Sequence, residues 1–156
     1  MVDVAMFLAG LATLPVETCQ PGDLILRKGK PAGKVFILKR GAVEVIDGDE
    51  RIALANEPGT VFGEIGVLLD QPPMADVRVL EPSTFYVAAG KVFLRVHRGA
   101  ALHVAELLAK RLVAAHRRLD AVRRRLPPEQ RGALEDMVDA VDRSLLAPPG
   151  RAQNDG

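Results

Sequence analysis

Between Pro21 and Val87 the apolar residues come in short runs of Val, Ile, Leu and Phe, broken every few residues by Gly, Pro or Asp. That rhythm predicts short strands joined by tight turns, since β-branched and aromatic residues favour the pleated surface and Gly, Pro and Asp supply the turn geometries. Strands are expected at Leu24–Arg27, Lys34–Lys39, Ala42–Ile46, Arg51–Asn56, Met74–Leu80 and Thr84–Val87, with turns at Arg40-Gly41, Asp47-Gly48, Pro58-Gly59 and Glu81-Pro82-Ser83. The spacing implies seven or eight antiparallel strands in a double-sheet roll, closed enough to manage its edges.

From Gly90 onward the period becomes helical. Lys91 to Arg98 predicts a short helix before Gly99, and a long one follows from about Ala100 to Leu126. Ala101, Ala105, Leu108, Leu112, Ala115, Leu119, Val122 and Leu126 step by four and three, a heptad seam that calls for a partner helix. The same positions would also serve a helix packed on its own roll. Pro127-Pro128 stops the long helix, and Glu129 to Leu146 predicts another with Leu134, Met137, Val138, Val141 and Leu145 on one face. Lys110 to Leu126 is strongly basic and Glu129 to Leu146 acidic, so a folded-back helix is electrostatically matched. The expected organisation is a mainly β roll over 1–99, a long helix over 100–126 for dimerisation, a C-terminal helix over 127–146 and a disordered tail over 147–156.

Composition narrows the function classes. In 156 residues, 48% are hydrophobic and 26% charged, a globular balance sufficient for one core and an appendage. A net charge of +1 gives no global reason to expect nucleic acid or membrane as a partner. Cys19 is the only cysteine, which forbids an internal disulfide and reads as a structural thiol. The apolar start from Val4 to Leu14 lacks a basic flank and runs into folded-domain sequence, so a cytoplasmic protein is expected. No apolar run approaches the ~20 residues needed to span a bilayer.

One segment, Val61 to Asp76, carries candidate chemistry. Gly63, Glu64, Ile65 and Gly66 open a short helix whose first amides lack intrahelical acceptors and whose dipole favours an anion. Phe62-Gly63-Glu64-Ile65 and Leu68, followed by Pro72, resemble the phosphate-binding cassette of cyclic-nucleotide-binding domains. Pro21-Gly22-Asp23-Leu24-Ile25, Gly29-Lys30-Pro31-Ala32 and Phe36 to Val45 resemble the opening strands of the same family.

The resemblance implies a jelly-roll-like, double-stranded β-helix fold, a regulatory role without catalysis, and cyclic AMP or cyclic GMP as possible ligand, with no other cofactor. It implies a pocket drawn from Gly63, Glu64, Ile65, Gly66, Pro73, Met74, Ala75 and Asp76, with Glu64 facing a ribose hydroxyl. The family's phosphate-binding arginine falls on Pro73, and the small residue beside it on Met74. Proline supplies neither charge nor donor. Asp76 replaces a hydroxyl residue, and at ~4 Å with an effective dielectric of about 20 an inward carboxylate would repel phosphate by roughly 4 kcal/mol. Two readings follow: weak or altered nucleotide binding, or a ligand-blind module for dimerisation or protein docking.

In the catabolite-activator branch of that family the equivalent long helix pairs with its twin in a parallel homodimer, which makes Ala105, Leu108, Leu112, Ala115, Leu119, Val122 and Leu126 the expected seam. The residues after it are too few for a winged helix-turn-helix, so direct DNA binding is not expected. The cluster Arg117, Arg118, Arg123, Arg124 and Arg125 reads as a helix C-terminus facing an acidic neighbour. His97, His103 and His116 stand six and thirteen apart, off any metal-ligand spacing, and are expected at the surface or an interface. No nucleophile elbow or nucleotide-binding Gly-Lys-Ser/Thr loop is present, so no enzyme activity is expected.

Overall fold

The computed structural model describes residues 3–97 and 99–146. They fall into two compact units divided between Lys110 and Arg111. The expected tail at 147–156 lies outside the described residues, as does Arg98.

The first unit begins with helix α1 (Val4–Gly10), where the Asp3 carboxylate accepts from the amides of Ala5 at 2.9 Å and Met6 at 3.2 Å. That bond pair satisfies two donors of the first turn, as an N-cap aspartate should. Eight strands follow: β1 (Val16–Cys19), β2 (Leu24–Leu26), β3 (Lys34–Arg40), β4 (Val43–Asp47), β5 (Glu50–Ala55), β6 (Val61–Phe62), β7 (Asp76–Val79) and β8 (Ser83–Ala89). Helix α2 (Glu64–Leu69) lies between β6 and β7, and α3 (Gly90–Val96) follows β8. All strand pairs are antiparallel, in two four-stranded sheets ordered β1-β8-β3-β6 and β2-β7-β4-β5.

The β1-containing sheet is buried on both faces. Phe36, Leu38, Phe85 and Val87 point to the second sheet and meet Leu26, Val77 and Val79. Val35, Ile37, Tyr86 and Ala88 point the other way, onto Phe7, Leu11, Phe93, Ala100 and Val104 of the helices. Continuous apolar runs at 35–38 and 85–88 are the sequence mark of strands covered on both sides, where a half-solvated sheet would alternate. The second sheet is solvated outside, and its outward row carries a buried carboxylate. Glu44 is shielded by Arg51, whose Nε donates at 2.6 Å, and by Arg78, whose Nε and guanidinium NH donate at 2.8 and 2.6 Å.

The hydrogen bond from Arg78, then that from Arg51, holds the Glu44 carboxyl below the usual carboxylate range despite its burial. A depressed folded-state pKa contributes stability above the unfolded value, about 4.3, and that stability is lost as pH falls below it. The native chain is therefore expected to lose melting temperature as pH drops through about 4 and below. Glu44→Gln should melt lower at neutral pH and show a flatter acid limb in a thermal-shift series. Parallel acid limbs in the two proteins would refute the assignment.

Helix α4 (Ala100–Arg125) docks its first turns on the roll through Ala100, His103 and Val104, with Leu107 and Leu108 packed alongside. His103 is a correction to the expected surface histidine, because it is 4% exposed. Its Nε2 sits 2.8 Å from the Gly59 carbonyl, and its ring stacks on Phe7 at 4.0 Å between centroids. One hydrogen bond and an aromatic neighbour let an imidazole replace an apolar core residue. His97 likewise reaches inward, with Nε2 2.8 Å from the Gly10 carbonyl. His116 is exposed.

In the second unit, the rest of α4 and α5 (Pro128–Leu146) form a helical hairpin. An Arg123–Glu135 ion pair links the two helices, and Arg131 Nε donates to the Leu126 carbonyl at 3.0 Å. No described helix is long and apolar enough to cross a membrane.

Candidate functional site

Gly63 turns the chain from β6 into α2 with φ +86, the left-handed region that glycine occupies without a Cβ penalty. A Cβ there would lie 2.5 Å from the Lys34 carbonyl, so the neighbouring strand as well as the dihedral demands glycine. The Val67 amide is the first to close on this turn, bonding the Gly63 carbonyl at 3.1 Å, which leaves Ile65 and Gly66 amides without an intrahelical acceptor. Gly66 in turn admits the close return of the chain, since its Cβ would meet the Gln71 carbonyl at 2.7 Å. Asp70 closes α2 in a left-handed cap at φ 54.

The second half of the segment is tied down by the loop after β2. The Gly29 amide donates to the Pro73 carbonyl at 2.8 Å, and the Lys28 amide donates to the Asp76 carboxylate at 2.7 Å. Val77 and Val79 point into the inter-sheet core. Strand alternation therefore puts Asp76 on the face of Arg78, whose guanidinium serves Glu44. The Asp76 carboxylate is thus occupied by a backbone amide, and Arg78 stands on the far side of the strand from the core.

A cleft of about 260 Å³ opens beside α2. Three of the expected pocket residues line it, Gly63, Gly66 and Pro73, together with Leu26, Gly33, Lys34, Val67, Asp70 and Lys91 among others. Glu64, Ile65, Met74, Ala75 and Asp76 do not border it. Glu64 is only 2% exposed and has a partner within the chain, while Met74 is largely exposed. Among the described residues no arginine borders the cleft, and the cations there are Lys34 and Lys91. Lys91 is ion-paired with Asp70, joining α3 to α2, and Lys34 lies 3.9 Å from Glu17. Sequence spacing did not point to Lys34, Asp70 or Lys91, because they come together only through the packing of α2 against β3 and α3.

Of the expected seam, Leu108 packs against the roll's own core. Ala105 and Ala115 are exposed, Leu112 and Val122 are 59% and 52% exposed, and Leu119 and Leu126 are half-buried. Cys19 is half-buried, and burial first, then Asp23 and Glu17, pushes its thiol up, which suits a structural rather than a reactive role.

Comparison with known proteins locates this architecture. Acetyltransferase Pat of Mycolicibacterium smegmatis is 31% identical over 116 residues, covering 72% of this chain and 33% of that protein. Glutaminase 1 of Bradyrhizobium diazoefficiens is 35% identical over 116 residues, covering 70% of this chain and 19% of that protein. The chain spans a third or less of the length of these curated relatives. Among solved structures, the regulatory domain of Toxoplasma gondii PKA with cAMP superposes with a TM-score of 0.55 at 17% identity, over 69% of this chain and 50% of that one, a likeness of fold. The sequence model of the cyclic nucleotide-binding domain matches residues 16–99. With more than half of its length inside that match and the eight-stranded roll in place, the chain belongs to the cyclic nucleotide-binding domain family.

Proposed function

We propose that this chain is a cytoplasmic, non-catalytic regulatory module that takes cyclic AMP or cyclic GMP weakly or in an altered pose. The seam of α4 then serves homodimerisation, with a protein partner reading the bound state and no direct contact to DNA. The observation that carries the reading is the cassette itself. Its glycine turn into α2 is built as an anion seat needs, within a roll of the right family, while Pro73 occupies the anchoring position and spends its carbonyl on the Gly29 amide. The backbone dipoles of a helix start favour an anion by about 1 kcal/mol or less, whereas a bidentate guanidinium adds two charge-assisted bonds. Loss of the second with retention of the first predicts binding that is measurable but weak.

Titration calorimetry tests this at millimolar nucleotide. A dissociation constant of roughly 100 μM or weaker, near 5 kcal/mol of binding free energy, is expected. Heat no different from buffer at saturating cyclic AMP and cyclic GMP would overturn nucleotide binding and leave the ligand-blind module. Submicromolar binding would overturn the account of Pro73.

A further inference from the structure

The helical hairpin leaves two apolar stripes uncovered. Leu112 and Val122 stand out on α4, and Met137 and Val141 on α5 are 61% and 53% exposed. In the heptad seam, the residues just before Leu112, Leu119 and Leu126 are Arg111, Arg118 and Arg125, a row of arginines seven apart. The residues just after Ala115 and Val122 are His116 and Arg123. In a parallel two-stranded coil these flanking positions meet across the interface and set partner choice. Arg118 would face Arg123 of the second copy and Arg111 its His116, with no carboxylate at any flanking position. Arg111 and Arg118 also make contacts within their own chain, so it is the charge of the row that matters here and not any lack of partners. A twin-to-twin pairing of α4 thus sets arginine against arginine in its C-terminal half with nothing acidic to offset them, while the uncharged Val104 and Ala109 flank the seam before it.

The complementary surface is α5. It carries five acidic and two basic residues, against seven basic and two acidic on α4. Asp136 directly precedes its exposed Met137, and Glu129 lies seven residues before Asp136 on the same side of the helix. We infer that two copies associate through their hairpins as an antiparallel four-helix bundle, in which α4 of each lies against α5 of the other. The apolar stripes close the core and the arginine row meets the acidic row. This rests on the reading of α4 as a self-association surface, and it replaces the parallel pairing with a crossed one. The Arg123–Glu135 ion pair and the Arg131 bond to Leu126 set the stagger of the hairpin, which places Ala115 within one or two residues, about 3 Å along the axis, of the level of Val141.

Sedimentation and disulfide trapping on the full chain in a Cys19→Ser background test the arrangement. Ala115→Cys and Val141→Cys proteins, mixed and oxidised, should form the mixed disulfide in preference to either homodisulfide. Raising salt from 50 to 500 mM should weaken the dimer, because the pairing is between opposite charges. The triple variant Arg111→Glu, Arg118→Glu, Arg125→Glu should weaken it at least about ten-fold, and Glu129→Arg with Asp136→Arg added should restore it. Dominant homodisulfides of Ala115→Cys, or an association strengthened by salt or by the triple variant, would establish the parallel pair and overturn the inference. A monomer at high concentration would overturn self-association altogether, while nucleotide titration of the same monomer would still judge the pocket separately.

Discussion

Pro73→Arg combined with Met74→Ser should bind cyclic AMP about 100-fold more tightly than the natural chain, since hydrogen bonds to charged groups contribute roughly 1.5–3 kcal/mol each. Pro73 is half-buried at the edge of the cleft, and the bond it makes is through its carbonyl to the Gly29 amide, which any residue can keep. The substitution therefore adds a guanidinium without removing a structural contact. Asp76 does not oppose the gain, because its carboxylate is held by the Lys28 amide on the other face of β7. Asp70 is the nearer competitor for a new arginine, but Lys91 already engages it. Pro73→Ala with Met74→Ser is the matched control and should stay weak. Equal affinity in the two double variants, both folded by circular dichroism, would mean that the missing charge does not limit binding.

The parts of this molecule legible in the sequence are those set by local rules. Turn glycines announced the strands: Gly48 and Gly59 adopt φ of 61 and 88, and the strands begin or end within a residue or two of the expected places. The cassette was legible as a word of sequence, because glycine is the residue that can make the turn at position 63. What escaped depends on contacts distant in sequence. Lys28 and Asp76 stand 48 residues apart, and nothing in the spacing around either announces their bond. Strand β1, Val-Glu-Thr-Cys, alternates too weakly to be marked, and β6 is only two residues long. The long helix serves both of the readings its stripe allowed. Its heptad stripe runs through Ala105 and Leu108, yet the face set on the roll is Ala100, His103, Val104, Leu107 and Leu108, which shares only Leu108 with that stripe, while Ala105 is exposed. A helix that serves one surface with its first turns and another with its later ones carries two overlapping periods, and the stronger conceals the shorter.

Phe85→Ala should cost about 4 kcal/mol, in the range for deleting a buried aromatic from a core that cannot collapse around the void. Phe85 is fully buried between the two sheets, edge-on to Phe36 at 6.3 Å between centroids, and its strand is paired on both sides, to β1 and β3. Backbone relaxation is thus blocked in the plane of the sheet, and the facing Val77 and Val79 belong to the other sheet. For a chain of this size the melting temperature should fall by roughly 10–15 °C. Tyr86→Ala is the companion, because its side chain leaves the same strand on the opposite face, among Phe7, Phe93 and Ala100. If that face were open to water, the second substitution would cost well under ~1 kcal/mol, as surface changes do. Burial beneath the helices predicts about 3 kcal/mol instead, read as a shifted urea midpoint at unchanged slope. A near-neutral Tyr86→Ala beside a costly Phe85→Ala would detach the helices from the roll's energetics, and with them any route by which an occupied cassette is felt along α3 and α4.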